Sequence, residues 1–183
     1  LSGHQLVLGE LQDFLSGDWL PDTHDERYRQ KIGRLLVEHG GFAKADIEAR
    51  RRLTVRAGGA GGIVKIDYLV RHEARIGMLI KYGPGSLVTR RRPVLALSRL
   101  VEPYQIPIAV VTNGEDAEIL EAASGTLIAA GLDRIPSRNE LAARMKQADL
   151  QPIGRRRAEM EARIVYCYEI DGACPCDGEV CRI

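Results

Sequence analysis

The sequence predicts an α/β (α+β) fold, a central mixed β-sheet flanked by helices, on three observations. Residues 50–82 alternate with the period of two expected of strands. A helical stripe and then a wholly apolar run follow at 93–112, the pattern of a crossover onto a buried parallel strand. The 183 residues are 45% hydrophobic and contain no apolar stretch near the roughly 20 residues that span a bilayer. With 26 Lys+Arg against 25 Asp+Glu, the net charge of +1 argues against a uniformly basic coat and leaves local patches open. One main domain over residues 1–150 and a basic, cysteine-rich segment over 151–183 are expected, in a cytoplasmic protein with no membrane association and no signal segment.

In chain order, Leu6, Val7, Leu8, Leu11, Phe14 and Leu15 have spacings suited to a short amphipathic helix stopped by Ser16-Gly17. Thr23 and Glu26 have capping-box spacing for a second helix, whose stripe of Ile32, Leu35 and Leu36 ends at Gly40-Gly41. Leu53, Val55 and Ala57 alternate with Arg52, Thr54 and Arg56 in a half-buried strand, which a flexible loop over 57–62 connects to the next. Strands at 63–70 and 76–82, joined by a polar turn over 71–75, complete an antiparallel meander. Val94, Leu97, Leu100 and Val101 mark a helix from about Pro93 that closes before Pro103. The apolar run 106–112 is a buried strand, Asn113-Gly114 turns the chain, and 117–122 with 126–130 form an outer hairpin around Ser124-Gly125. Ser137 and Glu140 cap a further helix, and a basic helix follows Gly154.

Side chains alternate along strands, so Ile63, Lys65, Asp67 and Leu69 are expected on one face, as are Leu79 and Lys81. Asp67 and Lys81 can then meet across the pair. Such a carboxylate and lysine suit a metal-and-water site, or an ordinary cross-strand ion pair. Three arginine triplets, Arg50-Arg51-Arg52, Arg90-Arg91-Arg92 and Arg155-Arg156-Arg157, are candidate phosphate contacts on duplex DNA or solvated faces balanced by nearby carboxylates. Sparse aromatic residues disfavour a single-strand stacking platform. Tyr82-Gly83-Pro84-Gly85-Ser86 lacks Walker spacing, and the four histidines lack metal-ligand spacing.

The order of DERYRQKIGRLL, KIDYLV, MLIKYGPGSL and PIAVVTNGEDAEIL, over about Asp18 to Lys146, resembles the N-terminal nuclease domain of type I restriction enzyme R subunits. That family is a branch of the PD-(D/E)xK superfamily. The resemblance implies a restriction-endonuclease-like three-layer fold and a Mg2+-dependent endodeoxyribonuclease site without the ATPase motor. Its implied catalytic residues are Asp67, Lys81 and Glu26, with Asp67 and Glu26 as Mg2+ ligands. The family motif has Glu or Gln two residues before the lysine, and this chain has Leu79 there. A catalytically inactive DNA-binding or protein-assembly module, with a protein partner or a second copy of the chain, therefore stands as the alternative.

All four cysteines, Cys167, Cys174, Cys176 and Cys181, fall in the last seventeen residues with the spacing C-x6-C-x-C-x4-C. Zn2+ ligation and a thiol-bearing tail are both compatible with this spacing, which does not match iron–sulfur patterns; disulfides are disfavoured in the cytoplasm.

Overall fold

The computed structural model describes residues 6–170, and its first elements correct the sequence expectation. Residues 6–15 do not form a helix. Strand β1 (Val7–Gln12) pairs antiparallel with β2 (Trp19–Thr23). Gly9 has φ +133, a conformation incompatible with a helix, and Asp13 organises the turn by accepting from the Ser16 amide and hydroxyl. Leu6, Val7 and Leu8 are exposed, so the apolar spacing that suggested a helix does not mark a buried face.

Helix α1 (His24–Glu38) starts where expected, with the Thr23 hydroxyl accepting from the Glu26 amide at 3.1 Å. The reciprocal half of the capping box is not made, and the Glu26 carboxylate turns to Gln30 and Arg50 instead. Strands β3 (Ile47–Ala57), β4 (Ala60–His72) and β5 (Arg75–Tyr82) form the meander. Its connections are tighter than the sequence suggests. Ala57 pairs with Ala60 across a two-residue Gly58-Gly59 turn, and His72 pairs with Arg75 across Glu73-Ala74. Gly58 takes φ +63, which such a turn needs and glycine supplies without strain.

Helix α2 (Arg91–Ser98) carries the chain from β5 to β6 (Ile108–Thr112), which lies parallel to β5. Strands β7 (Ala117–Glu121) and β8 (Leu127–Ala130) complete a six-stranded mixed sheet in which neighbours in sequence are neighbours in space, β3-β4-β5-β6-β7-β8. Helices α3 (Arg138–Gln147) and α4 (Arg155–Glu169) close the described chain, α3 with the complete Ser137/Glu140 capping box. Ile32 and Leu36 of α1 and Leu141 of α3 share a core with Tyr68, Val70, Ile80 and Val110 on one face of the sheet. On the other face, Val94 and Leu97 of α2 and Val165 of α4 pack with Leu69, Leu79 and Val111. The result is a three-layer α+β architecture, with helices on both faces of the mixed sheet. Among the described residues, no helix is long and apolar enough to cross a membrane.

One irregularity positions the site. On β3, Ile47 and Ala49 pack into the α1 side of the sheet, whereas Leu53 and Val55 pack into the α2 side. On β4, Val64 and Ile66 face the α2 side, whereas Tyr68 and Val70 face the α1 side. Residues of the same parity should share a face, so both strands reverse within one residue. The reversal falls between the pairs Ala49–Tyr68 and Arg51–Ile66, where Arg50 takes φ +57 opposite Asp67. This corrects the expectation that Ile63, Lys65, Asp67 and Leu69 line one face. Ile63 and Lys65 are exposed, Leu69 lies in the core, and Asp67 sits at the reversal between them.

Candidate functional site

Asp67 and Lys81 meet as expected, with Lys81 Nζ 3.6 Å from Asp67 Oδ2, although the register of β4 against β5, and not the alternation along β4, brings them together. Asp67 is only 6% exposed, and stronger donors already satisfy it. Its Oδ1 accepts from Arg29 Nε at 2.6 Å and its Oδ2 from the Tyr82 amide at 2.8 Å. Arg29 lies one helical turn after Glu26 on α1 and reaches across to the sheet. Burial works against its charge, but the adjacent Asp67 carboxylate more than compensates and raises its pKa.

A second cluster lies beside the first. Gln30 Nε2 donates to Glu26 Oε1 at 2.8 Å and to Asp13 Oδ1 at 2.6 Å. Arg50, held in its left-handed conformation at the strand reversal, donates Nη2 to the same two oxygens at 2.5 and 3.1 Å. Burial opposes ionisation of Asp13, but hydrogen bonds from Gln30, Arg50 and Ser16 outweigh it and hold the carboxyl at about 2. The folded state therefore binds this proton less readily than the unfolded chain. The associated stability is present above the ordinary carboxylate pKa and is lost as pH falls from about 4 to about 2. Asp13→Asn is expected to cost about 2 kcal/mol at pH 7 and progressively less below pH 4. Urea unfolding at pH 7 and pH 3 checks this, and a difference independent of pH would contradict it.

The first cluster, with Glu26 and Arg50 of the second, lines one open cleft of about 1140 Å³. Arg56 and Lys65 from the β3–β4 hairpin and Arg90 from the approach to α2 join its wall. Arg90 donates to the Pro84 carbonyl, and none of these three makes an ion pair with a described residue. The VTNGED run anchors the wall from behind. The Gly83 amide donates to the Thr112 carbonyl, Lys31 donates to the Gly114 carbonyl, and Tyr28 donates its hydroxyl to Glu115. Gly114 has φ +86 and lies against the Tyr28 ring, leaving no room for a side chain.

The arginine triplets are largely drawn into ion pairs within the protein. Arg50 is held by Asp13 and Glu26, Arg51 by Glu48 and Glu102, Arg91 by Glu118, and Arg92 by Glu161. Arg155 pairs with Glu159 and Arg157 with Glu161, whereas Arg52 is exposed. Of the six arginines in the first two triplets, Arg50 and Arg90 line the cleft. The cleft residues that sequence reasoning missed are Arg29 and Glu169, together with Asp13 behind it. No spacing signal marks them, because each arrives from a separate element.

For Mg2+, the residues to hold the ion would be Asp67 and Glu26, and the arrangement does not fit it. Arg29 donates to Asp67 Oδ1 and Arg50 to Glu26 Oε1, so cations of the protein already neutralise both carboxylates. Leu79 is fully buried beside Leu69 and Ala109, where a third ligand would be needed. Among the described residues, no group of three or more His, Cys, Asp or Glu side chains is placed to hold a metal. Cys167 is exposed near the end of α4, and Cys174, Cys176 and Cys181 lie outside the described residues.

A family model described as type I restriction enzyme R protein N terminus matches residues 24–136. The chain belongs to this family. No curated protein and no solved structure matches it. The part matched as a type I restriction enzyme R protein N terminus runs from the first residue of α1 to just before α3, and contains Glu26, Asp67 and Lys81. Asp13 and the whole of α4 lie outside it.

Proposed function

We propose that this domain serves a restriction system by holding duplex DNA through its phosphate backbone, without cutting it. The observation that carries this reading is the state of Asp67, whose two oxygens are filled by Arg29 and the Tyr82 amide while Leu79 lies in the core. Arg56, Lys65 and Arg90 supply charge on the open wall of the same cleft, and cationic groups that no described carboxylate neutralises are what phosphate contact requires. Backbone contact carries no demand for base-reading side chains, in keeping with the sparse aromatics.

The expected result is a salt-sensitive shift of duplex DNA and no nicking of plasmid with Mg2+ or Mn2+. Arg56→Ala and Lys65→Ala should each weaken binding for all sequences alike and lower the slope of log affinity against log salt by about 1. Absence of any shift at low salt would overturn the DNA reading in favour of a protein-assembly module. A second reading, Mg2+-dependent phosphodiester hydrolysis, is favoured by one observation: Glu26, Asp67 and Lys81 line a single cleft. Metal-dependent cutting by the wild type that disappears in Lys81→Ala would establish it.

A further inference from the structure

The C-terminal helix ends inside the cleft. Glu169, the last residue of α4, places Oε2 3.4 Å from Lys81 Nζ, slightly closer than Asp67. Both side chains are largely buried, Lys81 at 14% and Glu169 at 7% exposure. The two carboxylates at Lys81 are not equivalent. Asp67 is already satisfied by Arg29 and the Tyr82 amide, whereas among the described residues Lys81 is the ion-pair partner of Glu169. Lys81 is thus the cation that Glu169 neutralises, on a wall that also carries Arg56, Lys65 and Arg90.

The rest of α4 delivers Glu169 to this position. Val165, one turn earlier, is fully buried against the α2 face. Two turns earlier, the buried Glu161 accepts from Arg99 at 2.8 Å and pairs with Arg92 at 2.5 Å. Past the helix, Ile170 lies over β4 at Gly62, where an ideal Cβ would stand 2.5 Å from Ile170 Cδ1. Glycine at this position is what lets the helix end lie so close to the strand. An anion fixed on the buried lysine of a cationic cleft stands where an incoming anion would make its strongest contact.

We propose that Glu169 occupies the phosphate position of the cleft as an internal anion, which a backbone phosphate of duplex DNA must displace from Lys81. This rests on the DNA-binding reading and adds to it the place of contact and the competitor. Glu169→Gln removes the competing charge. Gly62→Ala pushes the helix end away while leaving every charge in place, so it acts by a different route. Glu159→Gln, on the exposed side of α4, makes the same change in net charge away from the cleft and is the control.

The test is fluorescence anisotropy of a labelled 20-base-pair duplex with the full chain, each variant first checked for folding by circular dichroism. Glu169→Gln and Gly62→Ala should bind about fivefold tighter than wild type, and Glu159→Gln within about twofold. If wild type binds and Glu169→Gln gains no more than Glu159→Gln, the internal-anion proposal fails while the DNA cleft stands. If neither wild type nor Glu169→Gln binds at low salt, the DNA reading fails and the proposal with it.

Discussion

Leu79→Glu is expected to destabilise the domain by about 4 kcal/mol at pH 7 and to produce no metal-dependent cleavage. The substitution supplies the carboxylate that the resemblance to PD-(D/E)xK nucleases leads one to expect two residues before the lysine, so on that expectation alone it should repair the site. The packing argues otherwise. Leu79 is fully buried, is paired across the sheet with Leu69 and Ala109, and belongs to the apolar cluster beneath α2 and α4. A glutamate there forfeits the apolar contact and sets an ionisable group among side chains that offer it no hydrogen bond. Burial raises the pKa of such a carboxyl in the folded state above its value in the unfolded chain. The folded state then binds more protons, and stability falls as pH rises through the ordinary carboxylate range. Denaturant melts at pH 5 and pH 7 should show the larger loss at pH 7. A variant that keeps wild-type stability and gains Mg2+-dependent nicking would show that the core yields at this position and that the site is one substitution from activity.

Asp67→Ala should cost about 3 kcal/mol, because it leaves the Arg29 guanidinium partly buried without its closest carboxylate and the Tyr82 amide without an acceptor. Arg29 retains Glu26 at 3.8 Å, which is too long to replace a 2.6 Å hydrogen bond. Combining Asp67→Ala with Arg29→Met should recover part of the loss, since it removes the stranded charge while keeping the side chain's apolar stem. The direction of the single variant is diagnostic. In a cluster of carboxylates awaiting a cation, deleting one relieves like-charge repulsion and stabilises the protein. An Asp67→Ala variant more stable than wild type would therefore mean that Arg29 does not neutralise the site, and would revive the metal reading.

The Asp67–Lys81 meeting was legible because the short turn between β4 and β5 sets their register, which brings residue 67 opposite residue 81 even though the alternation of β4 breaks at Asp67. Glu26 enters as a site residue through the family resemblance, whereas its spacing from Thr23 points to a cap; the structure directs its carboxylate away from the cap and into the cluster with Arg50 and Asp13. The arginine triplets stand out in sequence because like charges adjacent in the chain are conspicuous. Strand and helix geometry then sends neighbouring side chains to different surroundings, so Arg50 meets Glu26, Arg51 meets Glu48, and Arg91 meets Glu118. The N-terminal segment departs from its helical expectation because Leu6, Val7 and Leu8 satisfy a helical spacing while remaining exposed, and periodicity alone cannot tell an unburied pattern from a buried one.

Local pattern by itself determined the meander, the crossover helix onto a parallel strand, the capped starts of α1 and α3, and the register that sets Asp67 across from Lys81. Each depends on residues a few positions apart or on one turn of known length. Tertiary structure alone decided what that meeting can do. The face reversal at Arg50 and Asp67 requires two strands to kink together, and no single-strand pattern announces it. Arg29, Asp13 and Glu169 converge on the cleft from α1, the β1–β2 turn and the end of α4, separated from Asp67 by tens of residues. Electrostatic neutralisation depends on distance in space, and distance in space between separate elements is set by packing.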